Sequence, residues 1–117
     1  MDFTDLFKVP TSEGKEKHVP TIERGSGHSG THDDVVIVTV GKEVPHPNTA
    51  EHHIAWLELY GVKKENAQVV YLGRADFAPT AALPTATFKV SDLAQYKALG
   101  AISYCNIHGV WKNTLEL

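Results

Sequence analysis

The single cysteine of the 117-residue chain, Cys105, stands in SYCNIHGVW, separated by two residues from His108, which Gly109 follows. A lone thiol cannot form an internal disulfide, but a thiolate beside an imidazole suits zinc, copper or iron, whereas hard cations prefer oxygen. Side chains three positions apart in a straight strand face opposite sides, so this pair converges only across a turn. A second group lies in EVPHPNTAEHHIAW, where Pro45 and Pro47 restrict the backbone on both sides of His46. His52 follows six residues later, which is not a one-face helical spacing, so the segment between must bring the two rings together. His53 would point the other way once a strand has begun. The third group, GKEKHVP, leads Glu16, Lys17 and His18 into an extended segment.

Each group has a plainer reading. A solitary cysteine serves as a small buried hydrophobe, a histidine beside proline as a turn residue, and EKH as a solvated charged patch. Their combination points further, because all three abut expected strand ends, where the loops of a sandwich converge. Seven histidines beside one cysteine point toward metal chemistry, but a single cysteine argues against structural zinc, which draws on several closely spaced cysteines. A c-type haem is excluded, since it needs two cysteines before its histidine. The spacing alone indicates a metal site and leaves the metal open.

The elements that must position these residues are short β-rich runs punctuated by Gly, Pro, Asn and Asp. Segments 19–23, 34–41, 53–62, 68–77, 86–93, 100–106 and 110–117 read as strands. In HIAWLELYGV, alternation puts Ile54, Trp56, Glu58 and Tyr60 on one face, and Ala55, Leu57 and Leu59 on the other. Helical signals are short. NTAEHH offers one turn capped by Asn48, with Glu51 three residues on, and SDLAQYKALG offers another closed by Gly100. GSGHSGTHDD, with His28 and His32, reads as a mobile, solvent-exposed loop. The expected fold is all-β, a two-sheet sandwich formed by a single domain over residues 1–117.

Composition is that of a globular chain, 42% hydrophobic and 21% charged, and the net charge of −3 gives no reason to expect nucleic acid. The longest apolar run, VVIVTV, is strand-sized rather than membrane-spanning, so no membrane association is expected. MDFTDLFKVP lacks the basic-then-apolar layout of a signal peptide, and a cytoplasmic location is expected.

The segments EKHVP (16–20), GKEVPHPNTAEHHIAWLELY (41–60) and SYCNIHGVW (103–111), taken together and in this order, resemble the superoxide reductases. The likeness is to the one-iron type called neelaredoxin, of the desulfoferrodoxin iron-binding domain family. That resemblance implies an immunoglobulin-like β-sandwich with one non-haem iron. It implies His18, His46, His52 and His108 as equatorial ligands and Cys105 as the axial thiolate. Glu16 matches a carboxylate that takes the sixth position in the oxidised state, and Lys17 matches the cation beside the open position. The implied activity is one-electron reduction of superoxide to hydrogen peroxide without oxygen release, with iron cycling between Fe2+ and Fe3+. A rubredoxin-like electron donor and a homotetramer are implied as well. The cysteine-rich iron domain of two-domain relatives has no counterpart, because no cysteine precedes position 105. His28 and His32 match nothing in the motif.

Two other classes stay open at this point. A copper electron-transfer protein of β-sandwich type also sets Cys and His near one end of the fold. It commonly adds a weak axial methionine, and the only methionine here is Met1. A metal-free immunoglobulin-like binding module would leave the PHPN and Cys-x-x-His turns without a purpose.

Overall fold

A computed structural model describes residues 1–12, 18–25 and 34–117. Glu16, Lys17 and the loop histidines His28 and His32 lie outside the described residues.

Among the described residues, seven strands form in the order β1 (Pro20–Gly25), β2 (Val35–Val40), β3 (Ile54–Lys63), β4 (Val69–Asp76), β5 (Thr85–Lys89), β6 (Tyr96–Cys105) and β7 (Gly109–Glu116). They divide into a three-stranded sheet, β1-β2-β5, and a four-stranded sheet, β4-β3-β6-β7, and every pairing is antiparallel. This is the expected all-β, immunoglobulin-like sandwich. The helical pieces among the described residues are three short 3-10 turns, at Phe3–Leu6, Pro10–Ser12 and Leu93–Gln95. No helix among the described residues is long and apolar enough to cross a membrane.

The β-branched run of β2 explains the inner face of the smaller sheet. Val36 and Val38 are fully buried, and Ile22 from β1 joins them. They meet Leu57 and Leu59 of β3 and Leu99 and Ala101 of β6 in one apolar cluster. Burying each such aliphatic side chain contributes about 1.5–3 kcal/mol. A smaller cluster of Val40, Ile54 and Cys105 lies apart from it. This second cluster forms the floor of the site.

Three sequence expectations change. Ile54 does not share the outer face with Trp56, because the β3–β6 register slips between them and Ala55 becomes an extra residue. The slip turns Ile54 inward beside Cys105, its cross-strand partner. SDLAQYKALG is not a helix closed by Gly100. Only Leu93–Gln95 coils, and Gly100 sits mid-strand in β6 between Tyr60 and Thr114. NTAEHH forms bends rather than a helical turn, and Asn48 does not cap it. The Asn48 side chain reaches across to the 78–82 connection, accepting from Thr80 N at 3.1 Å and donating to Ala82 O at 3.3 Å.

Candidate metal centre

Three loop segments deliver histidines or cysteine to one end of the sandwich. His18 stands just ahead of β1, and its carbonyl accepts a 2.9 Å hydrogen bond from the fully buried hydroxyl of Ser103 on β6. That bond crosses between the two sheets and fixes where the ring enters. Trp111 of β7 stacks on the ring, with centroids 4.6 Å apart and planes 10° from parallel.

His46 and His52 come from the long β2–β3 connection. Nδ1 of His46 lies 2.7 Å from Pro47 O, and a carbonyl only accepts. Nδ1 therefore carries the proton and Nε2 presents its lone pair inward, 3.6 Å from the Cys105 sulfur. Thr49 does the capping expected of Asn48: its hydroxyl accepts from His52 N at 3.0 Å, and its own N–H donates to His52 O at 2.9 Å. The bend directs the His52 ring inward with Nε2 buried. His53, next in sequence, turns away and bonds Thr49 O through Nδ1 at 3.0 Å.

Cys105 ends β6 and is fully buried. Residues 106–108 form the turn that Cys-x-x-His required, and Gly109, at φ +84°, starts β7 opposite Cys105. The turn carries His108 back over the sulfur, with Nδ1 at 3.8 Å from Sγ and the backbone N–H donating to Sγ at 3.4 Å. Asn106 joins this turn to the histidine bend. Its side chain accepts from His53 N at 2.8 Å and donates to Glu51 O at 2.8 Å.

Donor atoms of His18, His52, Cys105 and His108 all lie within 4.8 Å of one another. The His46 ring closes the group, its centroid 4.8 Å from that of His18 and 4.6 Å from that of His52. Nitrogens bound about 2.1 Å from a shared ion stand about 3 Å apart when adjacent and about 4.2 Å apart when opposite. The 3.0 Å between His18 Nε2 and His108 Nδ1 matches neighbours around such an ion. Four imidazoles and a thiol, without a carboxylate among the described residues of the cluster, form a donor set for a transition metal rather than calcium or magnesium. Iron fits this set.

Of the seven residues expected at the site, the structure thus brings together His18, His46, His52, Cys105 and His108. Sequence reading assigned nothing to Thr49, Ser103 or Trp111, and used Asn106 only as part of a turn. Their contacts run to backbone or to ring faces, which leave no spacing pattern. The buried Ser103 is visible only as a polar residue at an inward position of β6, in line with the buried Leu99, Ala101 and Cys105.

Comparison with known proteins agrees with this geometry. Residues 10–114 match the desulfoferrodoxin family. The chain is 44% identical over 106 residues to a superoxide reductase of Pyrococcus horikoshii, covering 87% of this chain and 88% of that protein. It is 35% identical over 128 residues to neelaredoxin of Megalodesulfovibrio gigas, covering 97% and 95%. The structure of superoxide reductase (neelaredoxin) from Ignicoccus hospitalis superposes with a TM-score of 0.79 at 35% identity, covering 100% of this chain and 98% of that one. With fold, donor set and sequence similarity over nearly the whole length in accord, the chain belongs to the desulfoferrodoxin family, with the superoxide reductases of the neelaredoxin kind.

Proposed function

We propose that this protein reduces superoxide by one electron to hydrogen peroxide, without releasing oxygen, using one iron held by His18, His46, His52, His108 and Cys105. The observation that carries the reading is the convergence of four imidazoles and the only thiol at one end of a superoxide-reductase fold. Bound there, ferrous iron would supply the electron that reduces superoxide.

The chain's own residues do the rest. Cys105 provides an anionic sulfur in an apolar floor, where its charge is little screened, and the His108 N–H withdraws part of that charge. The Pro47 carbonyl holds the His46 tautomer that leaves Nε2 free of its proton. Lys17 supplies a local positive charge for an anionic substrate, against a net charge of −3. Glu16, beside Lys17 in sequence, would offer a carboxylate that can bind the iron and be displaced from it. Protons come from solvent, through water ordered by Lys17.

A rubredoxin-like one-electron donor restores the reduced state, and a cytoplasmic, reducing setting keeps the Cys105 thiol available. The same reading includes a homotetramer. Its support is the outer face of the four-stranded sheet, where Trp56 stacks on Tyr104 at 5.7 Å, Arg74 lies 4.5 Å over Trp56, and Tyr71 is 57% exposed. Tryptophan, tyrosine and arginine are the residue types enriched where protein surfaces meet.

The deciding experiment is elemental analysis of untagged protein, followed by counting peroxide formed per superoxide consumed. Iron near one equivalent, with one peroxide per superoxide, is the expected result. Half that peroxide yield would indicate dismutation. Copper in place of iron would revive an electron carrier, and a chain that takes up no metal would end the proposal.

A further inference from the structure

We propose that Lys8 is a positioning residue of the metal centre, tying the His108 turn to the Trp111–His18 stack and holding a positive charge beside both. The proposal rests on the metal-site reading above.

Lys8 lies outside all three ligand-bearing segments, and its placement comes from the main chain. It forms an isolated parallel bridge with Trp111 at the edge of β7. Its N–H donates to Val110 O at 3.0 Å, and its carbonyl accepts from Lys112 N at 2.8 Å. Lys112 Nζ donates to Thr4 O at 2.8 Å, securing the preceding 3-10 turn to the same strand. The N-terminal segment is thereby laid along β7 with Lys8 level with the site.

The Lys8 side chain then makes two contacts. Nζ donates to the carbonyl of His108 at 2.9 Å and stands 5.4 Å from the centroid of the Trp111 ring. An ammonium on a carbonyl is a charge-assisted hydrogen bond, and an ammonium over an indole is drawn to the ring face. Trp111 is 3% exposed and stacks on His18. One cation therefore touches the backbone of one candidate ligand and the aromatic support of another. A fixed positive charge at that distance favours the less positive, reduced state of the centre. Lys8 is exposed, so the influence is greatest at low salt and shrinks as ions screen it.

The test compares wild type, Lys8→Gln, Lys8→Arg and Lys89→Gln, the last removing an exposed lysine of β5 in the other sheet. Iron content is determined for each, and the midpoint potential is titrated at low and high ionic strength. At low salt, the expected result is a downward shift in Lys8→Gln, recovery in Lys8→Arg and no shift in Lys89→Gln. The difference should narrow at high salt. Retention of iron by Lys8→Arg and its loss from Lys8→Gln, with both apoproteins equally resistant to urea, would also support the assignment. A wild-type potential in Lys8→Gln overturns it, as does an equal shift in Lys8→Arg or Lys89→Gln, or loss of iron from both Lys8 variants. Iron-free wild type that takes up no metal removes the underlying site and this proposal together. Loaded wild type with an unmoved Lys8→Gln removes the role of Lys8 alone.

Discussion

His108 donates its backbone N–H to the sulfur of Cys105 at 3.4 Å, and its ring nitrogen Nδ1 stands 3.8 Å from the same atom. One residue therefore offers a nitrogen donor to the centre and regulates the charge on the neighbouring sulfur donor. The three-residue turn 106–108 makes both possible, because it reverses the chain directly after the buried end of β6.

Replacing the sulfur tests that relationship. Cys105→Ser removes a polarisable thiolate but nearly preserves side-chain volume, so the apolar floor of Val40 and Ile54 stays filled. The expected cost to the apoprotein is about 1–2 kcal/mol, from burying a hydroxyl in an apolar floor. The oxidised, iron-loaded variant is expected to lose the thiolate-to-iron charge-transfer band in the visible spectrum. A band of unchanged position and intensity would mean that the sulfur is not bound.

Asn106 is the next lever. Its amide bridges the cysteine turn to the histidine bend through His53 N and Glu51 O, both at 2.8 Å. Asn106→Ala should lower stability by about 1 kcal/mol, since the amide is exposed and water replaces part of what is lost. The larger effect should fall on the centre, with iron released to a chelator about tenfold faster or more, as outer contacts hold ligands in register. Release at the wild-type rate would show that the two segments keep their positions without the bridge.

What the sequence disclosed follows from the kind of force involved. His18, His46, His52, Cys105 and His108 were legible because their types are chemically distinctive, and because prolines flank His46 and a glycine follows His108. The strands were legible where alternation is unbroken, as from Trp56 to Tyr60. Legibility failed at irregularities. In β6 the register slips opposite Val62 and Lys63, leaving Lys97 as the extra residue, so the burial of Tyr96, Ala98 and Leu99 no longer alternates. The helical expectation for SDLAQYKALG rested on Gly100 as a terminator, and pairing with β3 and β7 overrides that local preference. Lys8 was invisible for a different reason. Its segment docks on β7 through main-chain bonds, which carry no residue signature.

Lys17 offers a test of steering. The chain carries a net charge of −3, so superoxide approaches against the overall field unless a local cation reverses it. Lys17→Ala is expected to slow the second-order reaction with superoxide about tenfold at low salt. The gap should close as ionic strength rises and the screening length falls to about 10 Å near 0.1 M. Equal rates for variant and wild type at low salt would take Lys17 out of that role.

Two glycines separate backbone strain from steric displacement of a ligand. Gly109 has φ +84°, and a Cβ built there meets nothing within 4 Å. Gly109→Ala therefore costs only the left-handed conformation, about 1–2 kcal/mol. Gly41 has φ +78°, and its Cβ would stand 2.6 Å from the backbone nitrogen of His46 and 3.0 Å from Val44 O. Neither atom belongs to a flexible side chain, so relief requires moving the backbone that carries His46. Gly41→Ala is accordingly expected to lose more stability than Gly109→Ala in urea denaturation of the apoproteins. It should also release iron faster to a chelator, with the variants compared at equal fraction folded. Equal release from the two variants would show that the position of His46 is set by Pro45 and Pro47 rather than by the close packing of the chain on Gly41.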